Sequence, residues 1–153
     1  MSVRTSAGST LRVSAGVPAT FNVAGYAALT FSAVGEITDL GEFGREYALV
    51  THNPIGSRGT QKFKGSFNEG TMNLSLGLDT DDSGQILMKA ASLSDNLYAF
   101  EVETQNGDIY YFQAMVMSWK VSVSTVDSIT TASCALELTT SSTGVGVVED
   151  LAA

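Results

Sequence analysis

Strict period-two alternation through the middle of the chain restricts it to strands. Met72, Leu74, Leu76 and Leu78 face one way while Asn73, Ser75 and Gly77 face the other, as on a half-buried strand. Tyr98, Phe100 and Val102 alternate with Glu101 and Glu103 in the same manner. Residues 109–119 carry large groups on both faces, which predicts a central strand covered on each side by protein. Between these last two runs stands Gln105-Asn106-Gly107-Asp108, and Asn-Gly tolerates the positive φ of a tight hairpin turn. Strands are expected at 45–51, 60–67, 71–78, 97–104, 109–124 and 128–139.

A single segment reads as helix. Asp82 caps it, Gln85 follows three residues later as in a capping box, and Ile86, Leu87, Ala90, Ala91 and Leu93 recur at helical spacing. The expected fold is mainly β: a β-sandwich or open β-barrel flanked by one α-helix. At 153 residues, one domain spanning 1–153 suffices, large enough to bury about two-thirds of its unfolded surface. The first 20 residues and those from 140 to 153 are rich in Ser, Thr, Gly and Ala, so they read as segments that fray in a monomer, the second as a flexible tail.

Composition removes several function classes. Sixteen acidic against eight basic residues give a net charge of −8, which opposes attraction to DNA or an anionic membrane. No apolar run approaches the roughly 20 residues of a bilayer span, and no apolar stretch follows Met1 as in a secretion signal. The expectation is a soluble protein made in a cytoplasm, without membrane binding. Cys134 falls on the apolar face of Ala132, Cys134, Leu136 and Leu138, and so reads as a buried, unreactive thiol.

Chemistry finds little to work with. The lone histidine, His52, has no cysteine or nucleophile elbow near it and reads as a loop residue donating a hydrogen bond, so no enzyme is expected. No metal and no cofactor are expected either, since a structural zinc needs four ligands of kinds this chain barely has. Asp79-x-Asp81-x-Ser83-Gly84-x-Ile86 matches the start of a calcium loop, but its twelfth position is Ala90 and a strand precedes it. Asp81 and Asp82 are then read as complementing the helix dipole. Asn73-Leu74-Ser75 lies inside a strand, and Gly144-Val145-Gly146 lacks the strand and helix of a dinucleotide loop.

Charge is distributed in blocks. Arg58, Lys62 and Lys64 fall in one short stretch, with Glu36, Asp39, Glu42 and Glu46 before it and Asp79, Asp81 and Asp82 after it. Opposed patches of this kind suit head-to-tail stacking, which closes into rings or continues as filaments. The connection from 52 to 64, which includes Pro54 and Ile55, is long for a hairpin and reads as functional.

Gly35-Glu36-Ile37-Thr38-Asp39-Leu40-Gly41, followed by Glu46-Tyr47 and the run Val50-Thr51-His52-Asn53-Pro54-Ile55-Gly56, resembles the major tail tube protein of long-tailed (siphovirus-type) bacteriophages. The likeness extends over roughly residues 20–140, the strands matching in pattern. It implies a structural virion protein, assembled in the host bacterial cytoplasm, whose hexameric rings stack into a tail tube that conducts double-stranded DNA without specific binding. Tail terminator, tape measure and tail tip proteins are the further implied partners. The 52–64 loop is then an inter-ring contact, with Pro54, Ile55, Arg58, Lys62 and Lys64 on one side and Asp79, Asp81 and Asp82 on the other. Residues 1–40 become an N-terminal arm, with Glu36, Asp39 and Glu42 as contacts to neighbouring copies.

An acidic wall would keep the genome from adhering, and Glu101, Glu103, Asp108 and Glu137 are its candidates. Two alternatives stand beside this reading. One is the tube component of a contractile secretion system. The other is a monomeric β-barrel binding a small apolar ligand through Tyr110, Phe112, Trp119 and the methionines.

Overall fold

A computed structural model describes residues 3–152; positions 1, 2 and 153 of the expected domain and arm lie outside the described residues. In chain order the elements are β1 (Thr10–Ser14), α1 (Val23–Ala27), β2 (Ser32–Val34), β3 (Ile37–Asp39), β4 (Glu46–His52) and β5 (Gln61–Asn68). They continue as β6 (Thr71–Gly77), α2 (Ser83–Ser92), β7 (Tyr98–Glu103), β8 (Ile109–Ser122), β9 (Thr131–Thr139) and β10 (Val148–Asp150).

One antiparallel sheet carries the body, in the order β2-β1-β7-β8-β9-β6-β3, with β10 paired to the start of β8. Its two outermost strands, β2 and β3, are joined by only Gly35 and Glu36. The sheet therefore curls until its opposite borders nearly meet, which makes an open barrel. Glu36 turns the corner with φ 62, and its carbonyl accepts from the Gly77 amide at 2.7 Å. Such a φ is uncommon outside glycine.

Period-two alternation sets the interior. Met72 lies opposite Leu136 and Leu74 opposite Cys134, all buried, while Asn73, Ser75 and Ser133 face solvent. Leu11, Val13, Phe100, Phe112 and Met88 complete the same core, with the Phe100 and Phe112 rings stacked at 5.5 Å. The barrel interior is thus filled by side chains. The Asn-Gly hairpin forms as expected: Gly107 has φ 93, and the Thr104 amide donates to the Asp108 carbonyl at 2.9 Å.

Helix α2 closes the seam. The Asp82 carboxylate caps it by accepting from the Gln85 amide at 3.0 Å, and also accepts from the Gly35 amide at 3.0 Å. Gln85, fully buried, sends its side-chain NH2 to the carbonyls of Gly35 and Gly77 and accepts from the Asp79 amide. This one side chain ties the helix to the β2–β3 corner and to the end of β6. Gly84 permits the approach, since a Cβ there would sit 2.1 Å from the Ala33 carbonyl oxygen.

Four expectations gain detail from the structure. The segment assigned to an N-terminal arm holds β1, whose Leu11 and Val13 are in the core, because β7 supplies a complete partner for Thr10–Ser14. Residues 15–31 fold back over the outer face of β7 and β8 and form a second helix, α1, whose Tyr26 stacks on Tyr111 at 5.3 Å. The segment assigned to a flexible tail contributes β10, paired with the first residues of β8. The central strand is covered on both faces only at 111–114; beyond Val116 it runs out to exposed Met117, Lys120 and Val121.

Candidate assembly surfaces

β4 and β5 form a two-stranded ribbon of their own, separate from the barrel sheet. Apart from half-buried Gly65, every residue in both strands is exposed. Leu49 is 66 % exposed, Phe63 55 % and Ile55, at the tip, fully so. An isolated two-stranded hairpin is at best marginally stable in water, and exposed apolar area of this extent marks an interaction surface. The ribbon holds four of the chain's eight basic residues, Arg45, Arg58, Lys62 and Lys64, against the single acid Glu46. Two of these cations lie over rings: Lys64 Nζ is 4.7 Å from the Tyr47 centroid and the Arg45 guanidinium 3.7 Å from that of Phe67.

The ribbon is anchored at its root. Arg45 pairs with the buried carboxylate of Glu69 through Nε at 2.9 Å and Nη2 at 2.8 Å. Gly146 passes so close that a Cβ there would lie 2.3 Å from that carboxylate. Sequence reasoning misses this pair, because Glu69 reads as one more charge in a turn.

The loop expected over 52–64 is shorter in fact. His52 ends β4 opposite Gln61, on a strand instead of in a loop, and Lys62 and Lys64 project from β5. Pro54, Ile55 and Arg58 remain in the connecting turn, where the Ser57 amide donates to the Pro54 carbonyl at 3.2 Å. Asp79, Asp81 and Asp82 gather before α2, on the body. Asp79 accepts from the Asp81 amide at 3.0 Å, so the calcium-like motif is a turn followed by a helix cap. Among the described residues no cluster of three His, Cys, Asp or Glu side chains forms.

Glu36, Asp39 and Glu42 are all exposed along the path from the barrel corner to the ribbon root. Asp39 accepts from the Gly41 amide at 2.8 Å. The four expected wall acids differ in how freely their carboxylates are displayed. Glu101 is buried and paired with Arg12, because β1 lies beside β7 and sets Arg12 directly opposite it; its carboxylate is therefore not displayed on a wall. Glu103 is half-buried and also reaches Arg12, at 3.3 Å. Asp108 accepts from the Ala152 amide and the Asn106 side chain, which hold its carboxyl below the usual range. Glu137 lies farther along the same outer face and accepts from the Thr71 hydroxyl at 2.6 Å.

Around Glu137 the outer face of β6, β9 and β8 is a field of small polar groups. Ser75, Ser133 and Lys120 align across the three strands, as do Asn73, Ala135 and Ser118. Burial holds the Cys134 thiol neutral, its pKa pushed up to about 12, in keeping with the expected unreactive core cysteine.

No family model matches the chain, and no curated protein matches it in sequence. Solved structures do share its fold. A chain of the anti-feeding prophage baseplate superposes with a TM-score of 0.66 at 8 % identity, over 91 % of this chain and 93 % of that one. A chain of the tail of an empty GTA particle gives 0.61 at 12 % identity, over 94 % and 96 %. The SPP1 tail tube gives 0.59 at 14 % identity, over 94 % of this chain and 77 % of that one. The chain has the mainly β fold of tail tube proteins.

Proposed function

We propose that the chain is a structural subunit that assembles with copies of itself into a tail tube. The observation that carries this reading is the β4–β5 ribbon, exposed along its length with apolar side chains on both faces, on a body whose own core is complete. Such a ribbon lacks only a partner. The fold shared with the SPP1 tail tube and with the tail of a GTA particle supplies the kind of assembly.

In this reading rings, hexameric as in the family, stack so that the ribbon of one copy lies on its neighbours, with Glu36, Asp39 and Glu42 on the adjoining border. The bore is lined by the hydroxyl-rich outer face of β6, β9 and β8, with Glu137 on it and Glu103 and Asp108 toward the hairpin end. Phosphates meet few cations there, since Arg12 is occupied by Glu101 and Glu103 and Lys120 stands among serines. DNA then passes without the adhesion that a basic wall would favour. The location that follows is a virion tail built in a bacterial cytoplasm, with terminator, tape measure and tip proteins at its ends.

A second reading, the tube of a contractile injection system, is favoured by the likeness to the anti-feeding prophage baseplate chain. It differs in cargo, and predicts protein held in the lumen. Purified subunit examined by size-exclusion chromatography and negative-stain microscopy tests both: tubes or stacked rings are expected. Deleting residues 53 to 60 and closing β4 onto β5 with an Asn-Gly turn should leave a folded monomer. A full-length protein that stays at 16.0 kDa at every concentration would sink the proposal.

A further inference from the structure

α2 is apolar on two sides, and only one is used by the core. Met88 and Ala91 are buried against the barrel, but Ile86, Ala90 and Leu93 form a second stripe facing outward at spacings of four and three residues. A surface helix ordinarily turns polar groups that way. Ile86 is 54 % exposed and Leu93 84 %. Beside this stripe the distal half of β8 contributes Trp119 and exposed Val121, and Leu78 floors the space between them, a groove of about 380 Å³. Asp79 and Lys89 both line it, while the Asp82 carboxylate is taken up by the Gly35 and Gln85 amides.

Resting on the tube reading above, we infer that this α2–β8 groove receives the tip of the β4–β5 ribbon of a second copy. The chemistry of the two surfaces matches. The tip offers the fully exposed Ile55 beside Pro54, with Arg58 and Lys62 flanking it. The groove offers an apolar floor with the Asp79 carboxylate at one end. The seven residues of β4, at about 3.3 Å each, carry the tip roughly 23 Å from its root, far enough to reach an adjoining molecule. Ile55, being fully exposed, does not fill the groove of its own chain. A donor tip and a distinct acceptor groove make a heterologous contact, the type that propagates instead of closing on itself in pairs.

Mixed copies test this directly. Ile55→Cys subunits and Leu93→Cys subunits, each also carrying Cys134→Ala, are mixed, assembled and oxidised, then run on a non-reducing gel. A covalent dimer containing one of each is expected, with loss of that band when either variant is oxidised alone. Leu93→Lys supplies an independent measurement: it should melt like the parent, since Leu93 is exposed, yet lose tube growth by light scattering and microscopy. Tubes that form without the mixed dimer and grow normally with Leu93→Lys overturn the groove assignment and leave the tube reading standing. A parent protein that never assembles overturns both.

Discussion

Gln85 joins three parts of the chain through one amide, which makes it the residue on which barrel closure depends. Its removal strands the Gly35 and Gly77 carbonyls and the Asp79 amide at a partly buried junction. With each unsatisfied buried group costing about 1–3 kcal/mol, and some regained by water entry, Gln85→Ala should cost roughly 3 kcal/mol in urea unfolding. A loss under about 1 kcal/mol would contradict the closure role. Titration offers a second residue-scale test. Burial pushes the Cys134 thiol from 9.0 up to about 12, and the Tyr26 phenol from 10.0 up to about 12. The folded protein keeps both protons while the unfolded chain loses them, so stability is full below pH 9 and falls as pH climbs toward about 12. Each group contributes a decline of at most about 1.4 kcal/mol per pH unit. Urea midpoints at rising alkaline pH should show the fall beginning earlier in the parent than in Cys134→Ala.

The ribbon and the barrel are elements of different rank. The inner barrel strands β1, β7, β8, β9 and β6 are held by neighbours on both sides and by a common core, whereas β4 and β5 have only each other and an anchor at Arg45 and Glu69. Local opening follows local contact density, so ribbon amides should exchange with solvent far faster than those of β7 or β9 in the free subunit. Assembly should slow ribbon exchange by orders of magnitude and leave the barrel core almost unchanged. Hydrogen exchange read by mass spectrometry on monomer and tube checks this; a ribbon already protected in the monomer would refute it. The same contrast explains what was legible. The ribbon strands, the Asn-Gly hairpin and α2 with its Asp82 cap were all anticipated within a few residues, because each is specified by its own spacing and turn chemistry. β2, β3 and β10, at three residues each, are too short to carry a period and exist only through their partners.

For the whole molecule, charge acts at two ranges. The ribbon concentrates positive charge while the remainder holds fifteen of the sixteen acids, so attraction between ribbon and body is local, while the net −8 repels copies at a distance. At about 0.01 M salt the screening length is about 30 Å and the repulsion dominates; near 0.15 M it is about 8 Å, and the close contacts survive. At about 1 M, with screening down to roughly 3 Å, the contacts weaken as well. Assembly followed by light scattering should therefore rise and then fall with salt. A steady decrease from the lowest salt would show that long-range repulsion is not the opposing force.

Sequence by itself determined that this chain is a β-protein with one amphipathic helix, a basic hairpin and an acidic body, because periodicity, turn residues and charge blocks are local properties. It could not determine which charges remain free. Glu101 looks the same as Glu103 along β7, and only the placement of β1 beside it brings Arg12 over its carboxylate. Nor could it tell that Glu69 anchors the ribbon, or that Ile86 and Leu93 are left outside when Met88 turns inward. These depend on which segments meet across the curled sheet, and such long-range pairing leaves no trace in the order of neighbouring residues.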